Sequence, residues 1–355
     1  MSDAVARAAR LKVGVVGCGR VARAAHLPAL ARAEGVELVA LADGDAESLR
    51  AAAPRAPRAT LHADWRELVE SSGAEAVVVC LPNALHAEAA TAALEAGRHV
   101  YLEKPLATNL ADARAVVAAW RRAGTVGMIG FNYRFNRLYA AARRHVLSGR
   151  LGGLVAARTV FSTAERDAPS WKRARGSGGG ALLDLGSHHA DLVRFVFGRE
   201  VREVSADVWS RRGEDDCAAL RLRLSGGLIV QSFFSTAAVE EDRLEIYGDA
   251  GKLGVDRYLS LDVRVTDPTL RGARVKRLRG ALGALRHGAY LLEKLRAPAN
   301  EPSYATALLA FVAAARGVVS RDVKPDLEDG FRSLAVVVAA EESARTRRPV
   351  TVSEE

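Results

Sequence analysis

The chain runs to 355 residues, with 51 lysines and arginines against 42 aspartates and glutamates, a formal net charge of +9 and 49% hydrophobic residues. That length exceeds one ordinary core and predicts two domains, while the composition is that of a folded, soluble protein. No apolar run approaches the ~20 residues that cross a bilayer, and Met1–Arg10 has no apolar core with a cleavage site, so neither a membrane span nor a secretory leader is expected.

The first third alternates Val/Leu runs with Ala-rich segments, the pattern of βαβ units and a doubly wound parallel sheet. Strands are predicted at Leu11–Val16, Val36–Ala42, Ala76–Leu81, His99–Leu102 and Thr125–Ile129. Helices are predicted between them at Arg20–Ala33, Ala46–Ala53, Trp65–Ser71, Ala87–Ala96 and Leu110–Ala123, with Gly97 and Gly124 placed to stop two of them. After Gly130 the texture changes. A helix at Arg137–Leu147 is followed by predicted strands at Leu154–Phe161, Val201–Ser210, Ala218–Leu224, Leu228–Phe234, Arg243–Tyr247 and Lys252–Val255, with a hairpin signal at Ser225-Gly226-Gly227. Leu278, Leu282, Leu285, Ala289 and Leu292 keep helical spacing, and helices near Tyr304–Gly317 and Leu327–Arg345 precede a short strand at Val350–Val352. The expected class is α/β: a doubly wound parallel-sheet domain over residues 1–130 and, over 131–355, an α+β domain on a mostly antiparallel sheet.

Gly17-x-Gly19-x-x-Ala22 follows a strand and opens a helix, the context in which this motif is informative. Gly17 permits the tight turn, Gly19 lets the backbone approach a pyrophosphate, and Ala22 lets helix and strand pack closely. Free N–H groups at the helix start favour that anion. Asp43 ends the second strand, placed for the adenosine ribose hydroxyls, and its bland alternative is a turn residue or helix cap. Asp45 adds negative charge and Gly44 offers no basic partner for a 2′-phosphate, which favours NAD over NADP. Gly17, Gly19, Arg20, Val21, Asp43, Pro82, Asn83, His86, Glu103 and Lys104 make up the expected cofactor set. Asn83 has an equally plain role as a turn residue, and His86 reads as a helix-start residue rather than a catalyst.

Cys18, Cys80 and Cys217 lack CxxC spacing and read as free thiols of a cytoplasmic protein. Much of the positive charge is local, from Arg271, Arg274, Lys276, Arg277 and Arg279 on to Arg296. No aromatic residue is interleaved within Arg271–Arg279 to stack on bases, so a nucleic-acid partner is not expected. A solvated helix face is the plain reading, and attraction of an anionic substrate the functional one.

Val-Val-Gly17-Cys-Gly19-Arg, Leu-Pro82-Asn83-x-x-His86, His99-Val-Tyr-Leu-Glu103-Lys104-Pro105-Leu106 and Gly130-Phe-Asn-Tyr-Arg134-Phe together closely resemble the Gfo/Idh/MocA family. Gly178-Gly179-Gly180-x-x-x-Asp184-x-x-x-His188-x-x-Asp191 extends the resemblance into the second domain. It implies a Rossmann domain, a C-terminal domain whose open sheet mediates assembly into a homodimer or homotetramer, and NAD(P)-dependent chemistry on sugars, cyclitols, nucleotide sugars or related polyols. It also implies a cis Lys104–Pro105 bond.

Carried over by residue, the resemblance makes Lys104 the active-site lysine, Asp184 the substrate-side aspartate and His188 the acid/base histidine. If Asp184–His188 is helical, the i,i+4 spacing puts both side chains on one face, where a carboxylate could orient the imidazole. Trp171 and Lys172 fall where the family places substrate-side residues. Arg134 and Asp191 complete the substrate-side set, Asp191 as a hydroxyl contact or a structural partner. A metal site from Asp184, His188, His189 and Asp191 is the rival for the second motif. It is not expected, because neighbouring histidines on a helix point apart. Two functional rivals stand beside hydride transfer: an NAD-dependent glycosidase with transient redox, and a non-catalytic nucleotide-sensing protein.

Overall fold

In a computed structural model, which describes residues 10–164, 169–266, 288–297 and 301–353, the first third folds as six strands alternating with helices. In chain order these are β1 (Leu11–Val16), α1 (Leu27–Arg32), β2 (Val36–Ala42), α2 (Ala46–Ala52), β3 (Thr60–His62), α3 (Trp65–Ser71), β4 (Ala76–Val79), α4 (His86–Glu95), β5 (His99–Leu102), α5 (Leu110–Ala123) and β6 (Gly127–Ile129). The sheet order is β3-β2-β1-β4-β5-β6, with every neighbouring pair parallel. Successive crossovers therefore run one way from β1 and then the other, and the switch between β1 and β4 opens a crevice at the strands' carboxyl ends.

Helices cover both faces of such a sheet, so its central strands can be apolar throughout. All of β4 is buried, and Val13, Val15 and Val16 of β1 are fully so. Each such valine contributes about 1.5–3 kcal/mol of burial. Asp45 caps α2 through the Ser48 N–H (3.0 Å), and Asp64 caps α3 through the Arg66 N–H (2.9 Å). The helix expected over Arg20–Ala33 is not uniform: Ala22–His26 forms a π-helical turn before α1. Pro28 lacks the N–H that would continue the ladder, and the wider turn precedes it.

Two compact units divide the chain. The first runs to Ala107 and adds Ala111–Phe131 and Tyr304–Phe331, the last of which the expected boundary at residue 130 assigns to the second domain. The second takes Thr108–Leu110, Asn132–Ser303 and Arg332 onward.

The later elements are α6 (Arg137–Leu147), β7 (Leu154–Ser162), α7 (Ser187–Phe197), β8 (Val201–Trp209), β9 (Cys217–Leu224), β10 (Ile229–Ser235), β11 (Glu241–Gly248), β12 (Lys252–Asp256), β13 (Arg264–Thr266), α8 (Gly288–Arg296), α9 (Ser303–Ala315), α10 (Leu327–Thr346) and β14 (Val350–Thr351). Eight strands form one sheet in the order β13-β12-β11-β7-β10-β9-β8-β14, antiparallel except for β10 against β7. The basic segment Arg271–Arg279, and with it most of the amphipathic stretch expected around Leu278–Leu292, lies outside the described residues. Nearly every residue of α7 is buried, including His188, His189, Asp191 and Arg194. Polar groups held so deeply need partners, and these partners define the chemistry of the second unit.

Candidate active site

In the first unit, Gly17 has φ +87° and its backbone lies against the next strand's end. A Cβ there would stand 2.5 Å from the Cys80 carbonyl carbon and oxygen and 2.7 Å from the Leu81 nitrogen, so only glycine closes this turn. Gly19 is the opposite case: a Cβ on it would meet no protein atom within 4 Å. The helix opens immediately after it at Arg20 and Val21, both exposed, while Ala22 is fully buried. A closed first glycine, an open second one and a helix N-terminus fit the pyrophosphate of a dinucleotide.

Asp43 follows β2 and is half-buried. Its carboxylate accepts from the Cys18 N–H (2.6 Å) and from the Asp45 N–H (2.8 Å), so it ties the Gly-rich turn to the end of β2. The helix cap is Asp45, not Asp43. Burial, with the negative charge of Asp43 beside it, pushes the Cys18 thiol up to about 12, so Cys18 is an inert packing residue.

Lys104 stands at the carboxyl end of β5, half-buried, and its bond to Pro105 is cis. The groups around it are fixed. Glu103 is buried and pairs with the fully buried His26 (Oε1 to Nε2, 2.7 Å), whose ring meets Tyr101 and Tyr304 edge-on at 5.5 and 6.1 Å. His86 has both ring nitrogens at backbone carbonyls, Nδ1 at Pro105 (2.7 Å) and Nε2 at Leu81 (2.8 Å). Burial pushes its pKa down, and a neutral ring donates to only one of the two. The His86 ring thus braces the Leu81-Pro82-Asn83 loop against the Lys104–Pro105 segment. Asn83 is buried in a single 3₁₀ turn, Asn83–Leu85, which Pro82 introduces.

In the second unit, Asp184 sits on a π-helical turn, Leu182–Gly186, that leads into α7. Such wide turns recur at functional sites. Its carboxylate accepts from Lys172 Nζ (3.0 Å), and the same ammonium lies 5.4 Å from the Trp171 ring centre. Gly179 explains how that loop reaches Asp184: a Cβ there would stand 2.2 Å from the Lys172 carbonyl oxygen. Arg175 then fastens the loop to α10 with two bonds to Glu341 (2.5 and 3.0 Å). His188, almost fully buried on the first turn of α7, stacks on Tyr133 with ring centres 4.7 Å apart and planes at 22°.

Arg134 and Asp191 meet each other. The guanidinium grips the fully buried carboxylate at both oxygens (Nε–Oδ2 2.9 Å, Nη2–Oδ1 2.6 Å), and Arg194 adds a third contact at 3.5 Å. This is the structural-partner alternative for Asp191, and it joins Arg134 to α7. His189 is likewise engaged within the fold, its Nε2 3.2 Å from Asp242 Oδ1.

Sequence reasoning missed the polar cluster beneath His188. Asp242 of β11, fully buried, accepts from the Tyr133 and Tyr139 hydroxyls (the latter at 2.7 Å), from His189 and from Arg257 Nε (2.6 Å). Burial alone would raise its carboxyl, but Arg257 above all, with His189 and Tyr133, holds it well below the usual carboxylate range. Arg257 also reaches Glu301 (3.0 Å), itself bonded to Asn136 and Ser303. One signal was available. Asp242, Leu244 and Ile246 share one face of β11, and a carboxylate in an inward-facing apolar row needs buried partners.

Comparison with known proteins bears on the assembled features. Residues 11–131 match the model of an oxidoreductase family with an NAD-binding Rossmann fold, and residues 139–254 match the GFO/IDH/MocA C-terminal domain. A myo-inositol 2-dehydrogenase of Thermotoga maritima is 28% identical over 353 residues, 97% of this chain and 99% of its own. A 1,5-anhydro-D-fructose reductase of Ensifer adhaerens is 32% identical over 340 residues, 94% of this chain and 96% of its own. The solved WlbA dehydrogenase of Bordetella pertussis, in complex with NADH and UDP-GlcNAcA, shares the fold at TM-score 0.83 and 23% identity, covering 98% of this chain and 99% of its own. With a turn shaped for a pyrophosphate and both domain models matched in order, the chain belongs to the Gfo/Idh/MocA family of NAD-dependent oxidoreductases.

Proposed function

We propose that the protein transfers a hydride between NAD and a secondary alcohol or ketone on a polyhydroxylated ring, a cyclitol, a sugar or a nucleotide sugar. The observation that carries this reading is the pair of glycines in the nucleotide turn, Gly17 closed against Cys80 and Gly19 open, on the same unit as Lys104. The substrate class is supported by relatives that act on inositol and anhydrofructose over nearly their whole length.

In the oxidative direction His188 takes the hydroxyl proton, and the Lys104 ammonium stabilises the oxygen as negative charge develops on it. NAD, when bound, supplies the nicotinamide that accepts the carbon-bound hydride. Asp184 orients substrate hydroxyls from its π turn, with Lys172 as its partner, and the Trp171 face suits the apolar side of a sugar ring. Gly17, Gly19, Arg20 and Val21 receive the pyrophosphate, Asp43 the adenosine ribose, and Asp43 with Asp45 disfavours a 2′-phosphate. His86 and Glu103 hold the Lys104 segment, and Arg134 and Asp191 hold α7, rather than touching ligand.

The test is a panel of inositols, anhydrosugars, free sugars and nucleotide sugars with NAD, read as absorbance at 340 nm. Substrate-dependent NADH formation is expected, lowered about 10²–10⁴-fold in His188→Ala and Lys104→Ala. Undiminished turnover in either variant would remove that residue from the mechanism.

A further inference from the structure

Tyr133 belongs to the Gly130-Phe-Asn-Tyr133-Arg134-Phe motif, yet it has no part in the chemistry above. Its ring is stacked on His188, and its hydroxyl donates to Asp242. The Arg257 guanidinium lies over the same ring at 5.0 Å, and Phe161 borders His188 edge-on at 6.1 Å. Asp242 receives four donors and is fully buried, so the anchor of Tyr133 is itself held in place.

We propose that Tyr133 is a positioning residue for His188, its ring pinned by Asp242 so that the imidazole is held at one tilt for proton exchange. This rests on the reading that His188 exchanges the substrate proton. An imidazole on a helix turns freely about its outer torsion unless a wall stops it, and a displaced proton-transfer group costs rate steeply. The Tyr133 ring, stacked on the imidazole at 4.7 Å, is such a wall. Its face also attracts the imidazolium that forms when the proton is taken up, because the ring's π face is negative. The Asp242 bond prevents the tyrosine from swinging aside, and Arg257 and His189 keep that carboxylate ionised.

Three variants separate this role from plain packing. Tyr133→Leu removes the ring face, and Tyr133→Phe keeps the face but loses the Asp242 bond. Tyr139→Leu loses an equal volume and an equal Asp242 bond from the neighbouring tyrosine, whose ring packs on Tyr133 at 5.2 Å. Turnover is measured with NAD and the panel substrate turned over fastest, and the His188 ring resonances are followed by NMR in histidine-labelled protein. The expected result is that Tyr133→Leu lowers kcat at least tenfold, with KM for NAD and substrate within threefold. Tyr133→Phe should recover only part of kcat, because its ring is no longer tied to Asp242, and Tyr139→Leu should stay within threefold of wild type. The ring-current shift of His188 should be lost in Tyr133→Leu and kept in Tyr133→Phe. An unchanged kcat in Tyr133→Leu, an equal loss in Tyr139→Leu, or an unmoved His188 resonance would overturn the proposal. Undiminished turnover in His188→Ala would instead overturn the catalytic reading beneath it, while the NMR comparison, which needs no substrate, reads the stack by itself.

Discussion

Alanine at Gly17 and alanine at Gly19 should fail in different ways, although only Cys18 separates the two glycines. At Gly17 the φ of +87° puts any other residue in the left-handed region, at about 1–2 kcal/mol for the backbone alone. The added Cβ would also press on the Cys80 carbonyl at 2.5 Å, a backbone group that cannot rotate away. Against a total stability of about 5–15 kcal/mol, Gly17→Ala should lower the urea midpoint clearly and lose NAD binding with it. At Gly19 nothing crowds the new methyl, and shrinking the unfolded ensemble should stabilise the protein by about 0.4–1 kcal/mol. The same methyl would fill the approach to the first helical N–H groups, so NADH affinity should fall at least tenfold, about 1.4 kcal/mol. Urea unfolding and a fluorescence titration with NADH read both quantities on one preparation. A Gly19→Ala protein that unfolds as early as Gly17→Ala, or that binds NADH like wild type, would refute the reasoning.

Arg134→Ala should cost about 3–5 kcal/mol, because it strips the bidentate partner from the fully buried Asp191, and a melting temperature within a degree of wild type would show that Arg194 suffices. Asp242 has a folded pKa below its unfolded value, so its stabilisation is complete above about pH 4 and is lost as pH falls from there towards the folded value. Wild type should therefore lose stability between pH 4 and 3 more steeply than Asp242→Asn, by up to ~1.4 kcal/mol per pH unit, and parallel urea midpoints would contradict this.

The parallel sheet was legible because fully buried strands are written as short Val-rich runs with turn residues between them. β1, β2 and β5 begin and end where those runs do. β3 and β13 escaped notice, each only three residues long at a sheet edge, with Leu61 largely exposed and no periodicity to read. The π turns at Ala22–His26 and Leu182–Gly186 were also hidden, since a single wide turn hardly alters an apolar pattern. Lys104, Asp184 and His188 were visible as motifs. The buried polar cluster beside His188 was not, because Tyr133, Asp242, Arg257 and Glu301 come from four separate segments. Each looks ordinary alone, and only the fold brings them together.

Hydride transfer itself is tested most directly with a panel substrate carrying deuterium at the carbon of its reacting hydroxyl. After incubation with NAD, the nucleotide is isolated and weighed by mass spectrometry. The account predicts NADH one mass unit heavier than normal, formed in equal amount with a product that has lost the label at that carbon. Unlabelled NADH, or a changed substrate with no net NADH, would contradict it.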